Sequence, residues 1–335
     1  MLPALAVAES LRSRGVRVTF AGSPARVEAR LVPEAGFEFD PFRVSGLPRR
    51  VGLAQLRALI LSGRAPAACL RILARRRPDV VFGGGGFVAG PMVLAAWLRR
   101  IPAALSEADA HLGLANRLAQ PFARRVFLAY PIRSGPRFRS VGRPIPARSV
   151  AGDPVAARRQ LRLPESGPVL GVFGALAGAR ALNEFAVATW GEAGPAVLHL
   201  SGERDEHALH ERVRRGDYRL LPSVERFGDA LAAADLVLAR AGGSAWELAA
   251  AGKPAVLVPY PHATADHQTL NASYFAQAGG AVLVPEAELD RVPGLVEELL
   301  ADRGRLGEMG QAMRRVARPD AADEIAEELI ALASA

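Results

Sequence analysis

Residues Ala234–Ala272 read ADLVLARAGGSAWELAAAGKPAVLVPYPHATADHQTLNA. The apolar run Asp235–Ala239 predicts a strand, the two glycines after it predict a turn, and Trp246–Ala251 predicts a short helix. A second strand is predicted at Ala255–Val258, followed by a proline-framed loop and another helix. This order of elements is typical of parallel α/β units.

The turn Arg240–Ser244 is the part of this stretch best suited to bind a ligand. Because it opens a helix, its backbone N–H groups and the positive end of the helix dipole suit a phosphate. Glu247 follows in the first helical turn, where a carboxylate can accept hydrogen bonds from ribose hydroxyls. Asp266–Gln268 follows the next strand and could meet the other end of the same ligand. Glycine between strand and helix is also ordinary connection chemistry, so this turn alone identifies no site.

The composition is that of a globular protein with a sizeable core. The chain has 335 residues, of which 50% are hydrophobic and 23% charged, a size that suits two domains. The single cysteine, Cys69, excludes an internal disulfide, and no Cys/His cluster has zinc spacing. No apolar run approaches the roughly 20 residues that a membrane-spanning helix needs.

Charge is divided unevenly between the two halves. Residues 1–150 hold 24 Lys/Arg and 8 Asp/Glu, whereas residues 151–335 hold 18 and 26. A basic half indicates contact with an anionic surface. Aromatic residues make up only 6% of the chain and do not interleave with the basic ones, so no nucleic acid is expected. A membrane surface or a pyrophosphate-bearing substrate fits the charge better.

Both halves alternate short apolar strands with amphipathic helices. Strands are predicted at Val16–Ala21, Glu38–Phe42, Asp79–Phe82, Ala103–Ser106, Arg125–Leu128, Val169–Phe173, Ala196–Leu200, Leu236–Ala239, Ala255–Val258 and Ala281–Val284. Helices are predicted at Pro3–Arg14, Leu53–Leu61, Ala67–Arg76, Val88–Leu98 and Asp320–Ala335. We predict a domain over residues 1–141, a linker over 142–154, a domain over 155–318 and a C-terminal helix over 319–335. Two Rossmann-like domains with a ligand cleft between them follow from this pattern.

Two motifs in the first half could carry chemistry. Residues Asp79–Trp97 read DVVFGGGGFVAGPMVLAAW, where the glycines let backbone approach a ligand and the next helix can hold an anion. The motif is not G-x-G-x-x-G, so NAD is not expected, and tight packing is the alternative interpretation. Residues Ser106–Arg117 read SEADAHLGLANR, in which Glu107 could polarise a hydroxyl or cap the following helix.

Taken together, these motifs resemble those of the MurG-type glycosyltransferases. The pattern AD-(V/L)-V…R-x-G-x…E-(I/L)-AA-x-G-x-P-A-(I/V/L)-(L/F)-VP, then H…Q…NA, matches the donor-binding half of that family. The resemblance covers essentially the whole chain and implies the GT-B fold, an α/β fold of two Rossmann-like domains facing each other across a cleft. It also implies inverting transfer of N-acetylglucosamine from UDP-GlcNAc to lipid I, forming lipid II in peptidoglycan synthesis. The expected location is the cytoplasmic face of the bacterial cell membrane, held peripherally to the anionic surface.

The resemblance assigns a donor site. Val224 would form a wall for the uracil, Glu247 would bind the ribose, and Gln268 would bind sugar hydroxyls. The segment GALAGARALN is similar to the family's GGSQGA-x-x-x-N loop, with the serine and glutamine replaced by Leu176 and Ala177. The expected donor-binding residues are Val224, Gly242, Gly243, Ser244, Glu247, Gln268, Gly174, Gly178, Asp109 and Arg143.

The resemblance also assigns an acceptor site. It implies that Gly83, Gly84, Gly85 and Gly86 bind the pyrophosphate of the undecaprenyl-linked acceptor and leaves Glu107 as the catalytic candidate. Neither a metal nor a cofactor is expected, because His262, Asp266 and His267 have no further carboxylate beside them. GT-B enzymes stabilise the leaving UDP with helix dipoles and basic groups.

A membrane-facing surface is predicted at Leu47–Pro78, where arginines alternate with leucines and isoleucines. Basic and apolar helices of this kind can rest on anionic lipid headgroups. Helices that pack their apolar sides on the sheet would explain the leucines equally well, but not the density of arginine.

The family begins with a strand and a glycine loop, GG-T-x-GH, before x-x-PALA, whereas this sequence opens at Met1–Ala6. All six histidines lie at or beyond His111, so the histidine proposed as a base in the family has no counterpart. We expect that the true start lies upstream and that the first sheet lacks a central strand.

Three alternatives stay open. The departures from the family at Ser106, Asp109, Leu176 and Pro146 suit a UDP-sugar transferase with another lipid or metabolite as acceptor. A GT-B-fold epimerase would need further acidic and histidine side chains in the cleft. A non-catalytic relative would bind the sugar nucleotide without turnover.

Overall fold

The computed structural model describes residues 1–44, 53–174 and 179–335, and side chains throughout these ranges except at 53–63. The chain divides into two compact units, one formed by Met1–Pro146 with Pro319–Ala335 and the other by Ala147–Arg318. Both units are α/β with parallel strands, as the sequence predicts. The finer domain boundaries given above stay predictions.

The first unit carries six strands and six helices in its described part. The strands are β1 (Thr19–Gly22), β2 (Glu38–Pro41), β3 (Val81–Gly83), β4 (Ala103–Glu107), β5 (Arg125–Leu128) and β6 (Phe138–Ser140). The helices are α1 (Leu2–Ser13), α2 (Glu28–Glu34), α3 (Leu53–Arg76), α4 (Ala89–Leu98), α5 (Leu114–Ala119) and α14 (Ala321–Ala333). Strand β6 was not predicted, because its three residues form no apolar run and none of them is buried.

The prediction of two helices at Leu53–Leu61 and Ala67–Arg76 is wrong, since α3 runs unbroken through Pro66. A proline inside a helix loses one hydrogen bond and normally ends or kinks it. Here Ala65, Cys69 and Leu73 repeat every four residues and are all buried, which favours continuing the helix. Much of the predicted membrane-facing surface, residues 47–63, lies outside the described side chains.

Helix α14 returns the end of the chain to the first unit and packs against α1. Val7 and Leu11 of α1 share a buried cluster with Ile325 and Leu329 of α14. The contact is fastened by Asp323, which accepts hydrogen bonds from the Ser10 hydroxyl at 2.6 Å and the Arg14 guanidinium at 2.8 Å.

The sheet of the first unit is in two pieces. Strand β1 pairs with β2, and a separate sheet has the order β3–β4–β5–β6. In the described part of the chain, β1 and β3 each have a partner on one side only. Both line a groove of about 650 Å³, which also has apolar walls from Leu11, Ile72, Met92 and Leu329. We call this space the sheet groove.

The second unit is built on one parallel sheet of six strands in the order β12–β11–β10–β7–β8–β9. The strands are β7 (Val169–Phe173), β8 (Ala196–Leu200), β9 (Tyr218–Leu221), β10 (Leu236–Ala239), β11 (Ala255–Leu257) and β12 (Ala281–Leu283). The helices are α6 (Pro154–Gln160), α7 (Arg180–Trp190), α8 (Glu203–His210), α9 (Phe227–Ala233), α10 (Ser244–Ala251), α11 (His267–Gln277), α12 (Val292–Ala301) and α13 (Arg303–Val316). The predicted strands of this half are confirmed, and β9 was missed.

Candidate functional site

Strands β7 and β10 meet at the topological switch point of the second sheet. From β7 the chain continues to β8 on one side, and from β10 to β11 on the other. Crevices at the carboxyl ends of such strands are where open α/β sheets bind ligands. Phe173 and Ala239 are partners in register, so Gly174 and the turn after β10 begin at the same level. Gly178, with the rest of residues 175–178, lies outside the described part of the chain.

The turn between β10 and α10 keeps space open for a ligand. A Cβ atom added at Gly242 would meet no heavy atom within 4 Å. Gly243 is the N-terminal cap of α10 and has an ordinary φ of −61°. Neither position has the left-handed backbone conformation that requires glycine. The two glycines instead leave the N-terminus of α10 accessible to a ligand, and Ser244 is the first residue of that helix.

Two buried polar residues join this turn to the chain that follows β11, Arg240 to the loop and Asn271 from helix α11. The Arg240 guanidinium donates to the carbonyl oxygens of Val258 at 3.3 Å and Pro259 at 3.1 Å, and it forms an ion pair with Glu286. The amide nitrogen of Asn271 donates to the carbonyl oxygen of Ala241 at 3.1 Å. Both residues belong to the motif quoted above, but the contacts of their side chains were not predicted, although polar residues inside an apolar stretch were the available signal.

Glu247 lies in the first turn of α10 and is half-buried. Its Oε1 accepts a hydrogen bond from the Ser149 hydroxyl at 2.5 Å. A carboxylate at a helix N-terminus is stabilised by the helix dipole. Ser149 was not predicted, since nothing in the local sequence connects it with a residue so distant along the chain.

The loop after β11 contains two residues with a strained backbone conformation. Ala265 and Asp266 have φ values of 52° and 50°, a left-handed conformation that costs a non-glycine residue about 1–2 kcal/mol. Gln268 binds this loop, because its Oε1 accepts from the backbone N–H of Tyr260 at 2.9 Å. That contact leaves the amide nitrogen of Gln268 as the group that can donate to a ligand. Val224 lies half-buried in a separate loop, between β9 and α9.

A buried polar network anchors the start of α7, directly after the loop that contains Gly174. His199 lies between the Tyr218 hydroxyl at 2.8 Å and Oδ1 of Asn183 at 3.0 Å, and Asn183 also donates to the carbonyl oxygen of Ser201. Because Oδ1 of Asn183 can only accept, Nε2 of His199 carries the proton. Burial lowers the pKa of His199 to about 3, so the ring is neutral near pH 7.

In the first unit, the four glycines at the end of β3, Gly83–Gly86, divide into two pairs. A Cβ atom at Gly83 would come within 2.8 Å of Leu105, and one at Gly84 within 3.1 Å of Ala4, so this pair allows close packing. Gly85 and Gly86 have φ values of 95° and 74°, which favour glycine. Space is open at Gly86, where an added Cβ would meet nothing within 4 Å.

Glu107 ends β4 and is buried. Its carboxylate accepts hydrogen bonds from the backbone N–H groups of Ala108 at 3.0 Å and Gly113 at 2.9 Å, and from the amide of Asn116 at 2.9 Å. The side chain thus organises the turn that leads from β4 into α5. A catalytic role stays a prediction.

Asp109 and Arg143 belong to the first unit, whereas the other predicted donor residues belong to the second. Asp109 lies in the turn that Glu107 organises, and its backbone N–H is 3.4 Å from Oε1 of Glu107. The Arg143 guanidinium reaches the carbonyl oxygen of Ala108 at 3.5 Å, which brings it to the same turn.

Comparison with known proteins connects both units to one family. The glycosyltransferase family 28 N-terminal domain matches residues 1–128, and the family 28 C-terminal domain matches residues 169–325. A UDP-N-acetylglucosamine–N-acetylmuramyl-(pentapeptide) pyrophosphoryl-undecaprenol N-acetylglucosamine transferase of Halorhodospira halophila is 44% identical over 97% of this chain and 92% of its own length. The transferase of the same name from Salinibacter ruber is 38% identical over 99% and 93%.

Solved structures give the same fold. The crystal structure of Acinetobacter baumannii MurG superposes with a TM-score of 0.77 at 28% identity, covering 98% of this chain and 95% of that one. The UDP-GlcNAc 2-epimerase of Neisseria meningitidis has a TM-score of 0.68 at 12% identity, covering 98% and 96%, a likeness of fold alone. Within the described ranges, no helix is both long and apolar enough to cross a membrane.

Proposed function

We propose the following function from the premise that this chain belongs to glycosyltransferase family 28, whose curated relatives are MurG-type N-acetylglucosaminyltransferases. The reaction is the transfer of N-acetylglucosamine from UDP-GlcNAc to lipid I, which yields lipid II for peptidoglycan. One observation carries the donor half of the proposal. The open turn before α10 and Glu247 follow β10, a strand of the switch point, and Gln268 follows the adjacent strand β11.

In this proposal the second unit holds the donor. The diphosphate lies at the N-terminus of α10, where the backbone of Gly242, Gly243 and Ser244 and the helix dipole favour negative charge. Glu247 accepts hydrogen bonds from the ribose hydroxyls, and the amide nitrogen of Gln268 donates to the sugar. The acceptor hydroxyl bonds through its oxygen to the anomeric carbon while the bond to UDP breaks, and the hydroxyl proton is released to solvent. The same helix terminus stabilises the leaving diphosphate.

The first unit contributes the acceptor side. The backbone at Gly85 and Gly86, beside the start of α4, offers N–H groups to the acceptor pyrophosphate. Because the Glu107 carboxylate already accepts three close hydrogen bonds, we propose that it acts by holding the turn that follows β4. It is then a positioning residue rather than the group that takes the proton.

We also propose peripheral contact with an anionic membrane surface, through helices α4 and α5. The side chains of Trp97, Leu98, Leu114 and Leu118 are 52–65% exposed, an unusual degree for large apolar residues. Trp97 packs on Phe122 with 5.2 Å between ring centroids, so it is held in place. Arginines lie beside the four apolar residues, at Arg99, Arg100 and Arg117. We call these four apolar residues the exposed patch.

A transfer assay with a matched pair of variants tests the proposed function. We expect the full chain to move labelled N-acetylglucosamine from UDP-GlcNAc to a lipid I analogue. Glu247→Gln should lower kcat/KM about 10- to 100-fold, the range expected when hydrogen bonds to a charged group are lost. Ser166→Ala, an exposed change outside the proposed site, should leave it unchanged.

The outcomes separate the alternatives. Transfer that is insensitive to Glu247→Gln would contradict the donor site. UDP-GlcNAc binding by the folded chain without transfer would favour the non-catalytic alternative, and transfer only to a different acceptor would favour the second transferase alternative.

A further inference from the structure

Ser149 lies in a short 3-10 turn, Ala147–Ser149, at the beginning of the second unit. It is 3% exposed, although the residue after it, Val150, is 60% exposed. Its hydroxyl is directed inward and donates to Oε1 of Glu247 at 2.5 Å, a short bond of the charge-assisted kind. This contact joins the first turn of α10 to the start of the unit.

The backbone around Ser149 is fixed on both sides. A Cβ atom at Gly228, in the first turn of α9, would come 2.0 Å from the carbonyl oxygen of Val150, so glycine lets the chain lie directly on the helix. Four residues after Ser149, the Asp153 carboxylate caps α6 by accepting from the backbone N–H of Ala156 at 2.7 Å. The hydroxyl is therefore presented to Glu247 from a rigid support.

A hydrogen bond from a fixed hydroxyl restricts the orientation of the Glu247 carboxylate. The terminal torsion of a glutamate is broad, so an unsupported carboxylate samples many orientations. One hydrogen bond from a rigid hydroxyl removes much of that freedom. A carboxylate has about four acceptor sites, so accepting a hydrogen bond from a serine hydroxyl does not prevent it from binding the hydroxyl groups of a ligand.

We propose that Ser149 is a positioning residue, which orients Glu247 toward the 2′ and 3′ hydroxyls of the donor ribose. Through this role it sets the preference for a ribonucleotide over a 2′-deoxyribonucleotide. The inference rests on the ribose-binding role of Glu247 proposed above.

A calorimetric titration with UDP and with 2′-deoxy-UDP tests this role in the full chain. Wild type should prefer UDP. Ser149→Ala should weaken UDP binding about 5- to 10-fold, the effect of one net hydrogen bond, and should change 2′-deoxy-UDP binding much less. A merely structural role of Ser149 would weaken both ligands equally. Ser166→Ala is the control, and the melting temperature of each variant shows whether it is folded.

Gly228→Ala is an independent test of the same role. The added methyl group displaces the backbone at Val150, next to Ser149, and leaves the Ser149 hydroxyl itself unchanged. It should reduce the preference for UDP in the same direction as Ser149→Ala.

Four results would overturn the inference. If Ser149→Ala leaves the ratio of the two affinities unchanged while Glu247→Gln abolishes it, Ser149 has no positioning role and the donor site stands. If Ser149→Ala tightens UDP binding, the hydroxyl competes with the ribose. If wild type does not bind UDP, or if Glu247→Gln has no effect on binding, the donor site itself is wrong and the inference falls with it.

Discussion

At the scale of single residues, a substitution of Glu107 distinguishes a structural role of this side chain from a catalytic one. In Glu107→Gln, the new amide nitrogen would face backbone N–H groups such as that of Gly113, leaving buried donors without an acceptor. We expect the free energy of unfolding to fall by about 1–3 kcal/mol, measured by denaturant titration. Glu211→Gln, an exposed change, should be neutral. A variant of unchanged stability that has lost transfer would instead identify Glu107 as catalytic.

At the scale of elements, strands β8 and β9 enclose a histidine that stays neutral. The pKa of His199 is lowered by burial from 6.5 to about 3, so between these values the unfolded chain binds a proton that the folded chain does not. Stability is therefore lost as pH falls below about 6.5.

For this one group, the free energy of unfolding should drop by about 1.4 kcal/mol between pH 7.5 and pH 5.5. We expect His199→Gln to remove that part of the pH dependence, whatever its effect at pH 7.5, while the exposed His207→Gln keeps it. The lowered pKa values of Asp205 and Asp217 act only at more acidic pH, so they do not obscure this window. If the free energy of unfolding depends on pH equally in both variants, His199 is not a neutral buried histidine.

At the scale of the whole molecule, charge and exposed apolar area coincide in the first unit. Residues 1–150 are strongly basic, and the exposed patch lies among them. We expect co-sedimentation with vesicles that contain anionic phospholipid, weakened by salt, and little with neutral vesicles. Trp97→Glu combined with Leu118→Glu should reduce binding about tenfold or more. Leu270→Glu, at an exposed leucine of the second unit, is the matched control, and equal loss in both would count against the patch.

Elements that are marked by a local pattern of residues could be predicted from the sequence, and contacts between distant segments could not. The strand Val169–Phe173 was predictable because a short apolar run lies between turn residues, and the whole strand is buried. Tyr218–Leu221 was missed because an arginine interrupts its apolar residues. The break predicted in α3 was wrong because the packing of buried residues outweighs the tendency of Pro66 to end a helix. The partnership of Ser149 with Glu247 joins distant segments, and no periodicity or spacing can express it.

The sheet groove has a practical consequence for anyone who purifies this protein. Strands β1 and β3 each present a row of backbone donors and acceptors to it, and such rows are templates on which the extended segments of other molecules can assemble. Apolar side chains such as Leu11, Ile72 and Met92 line part of this groove and add surface that an extended segment could cover. We expect this part of the first unit, far more than the polar surface of the second, to set the concentration at which the protein begins to precipitate.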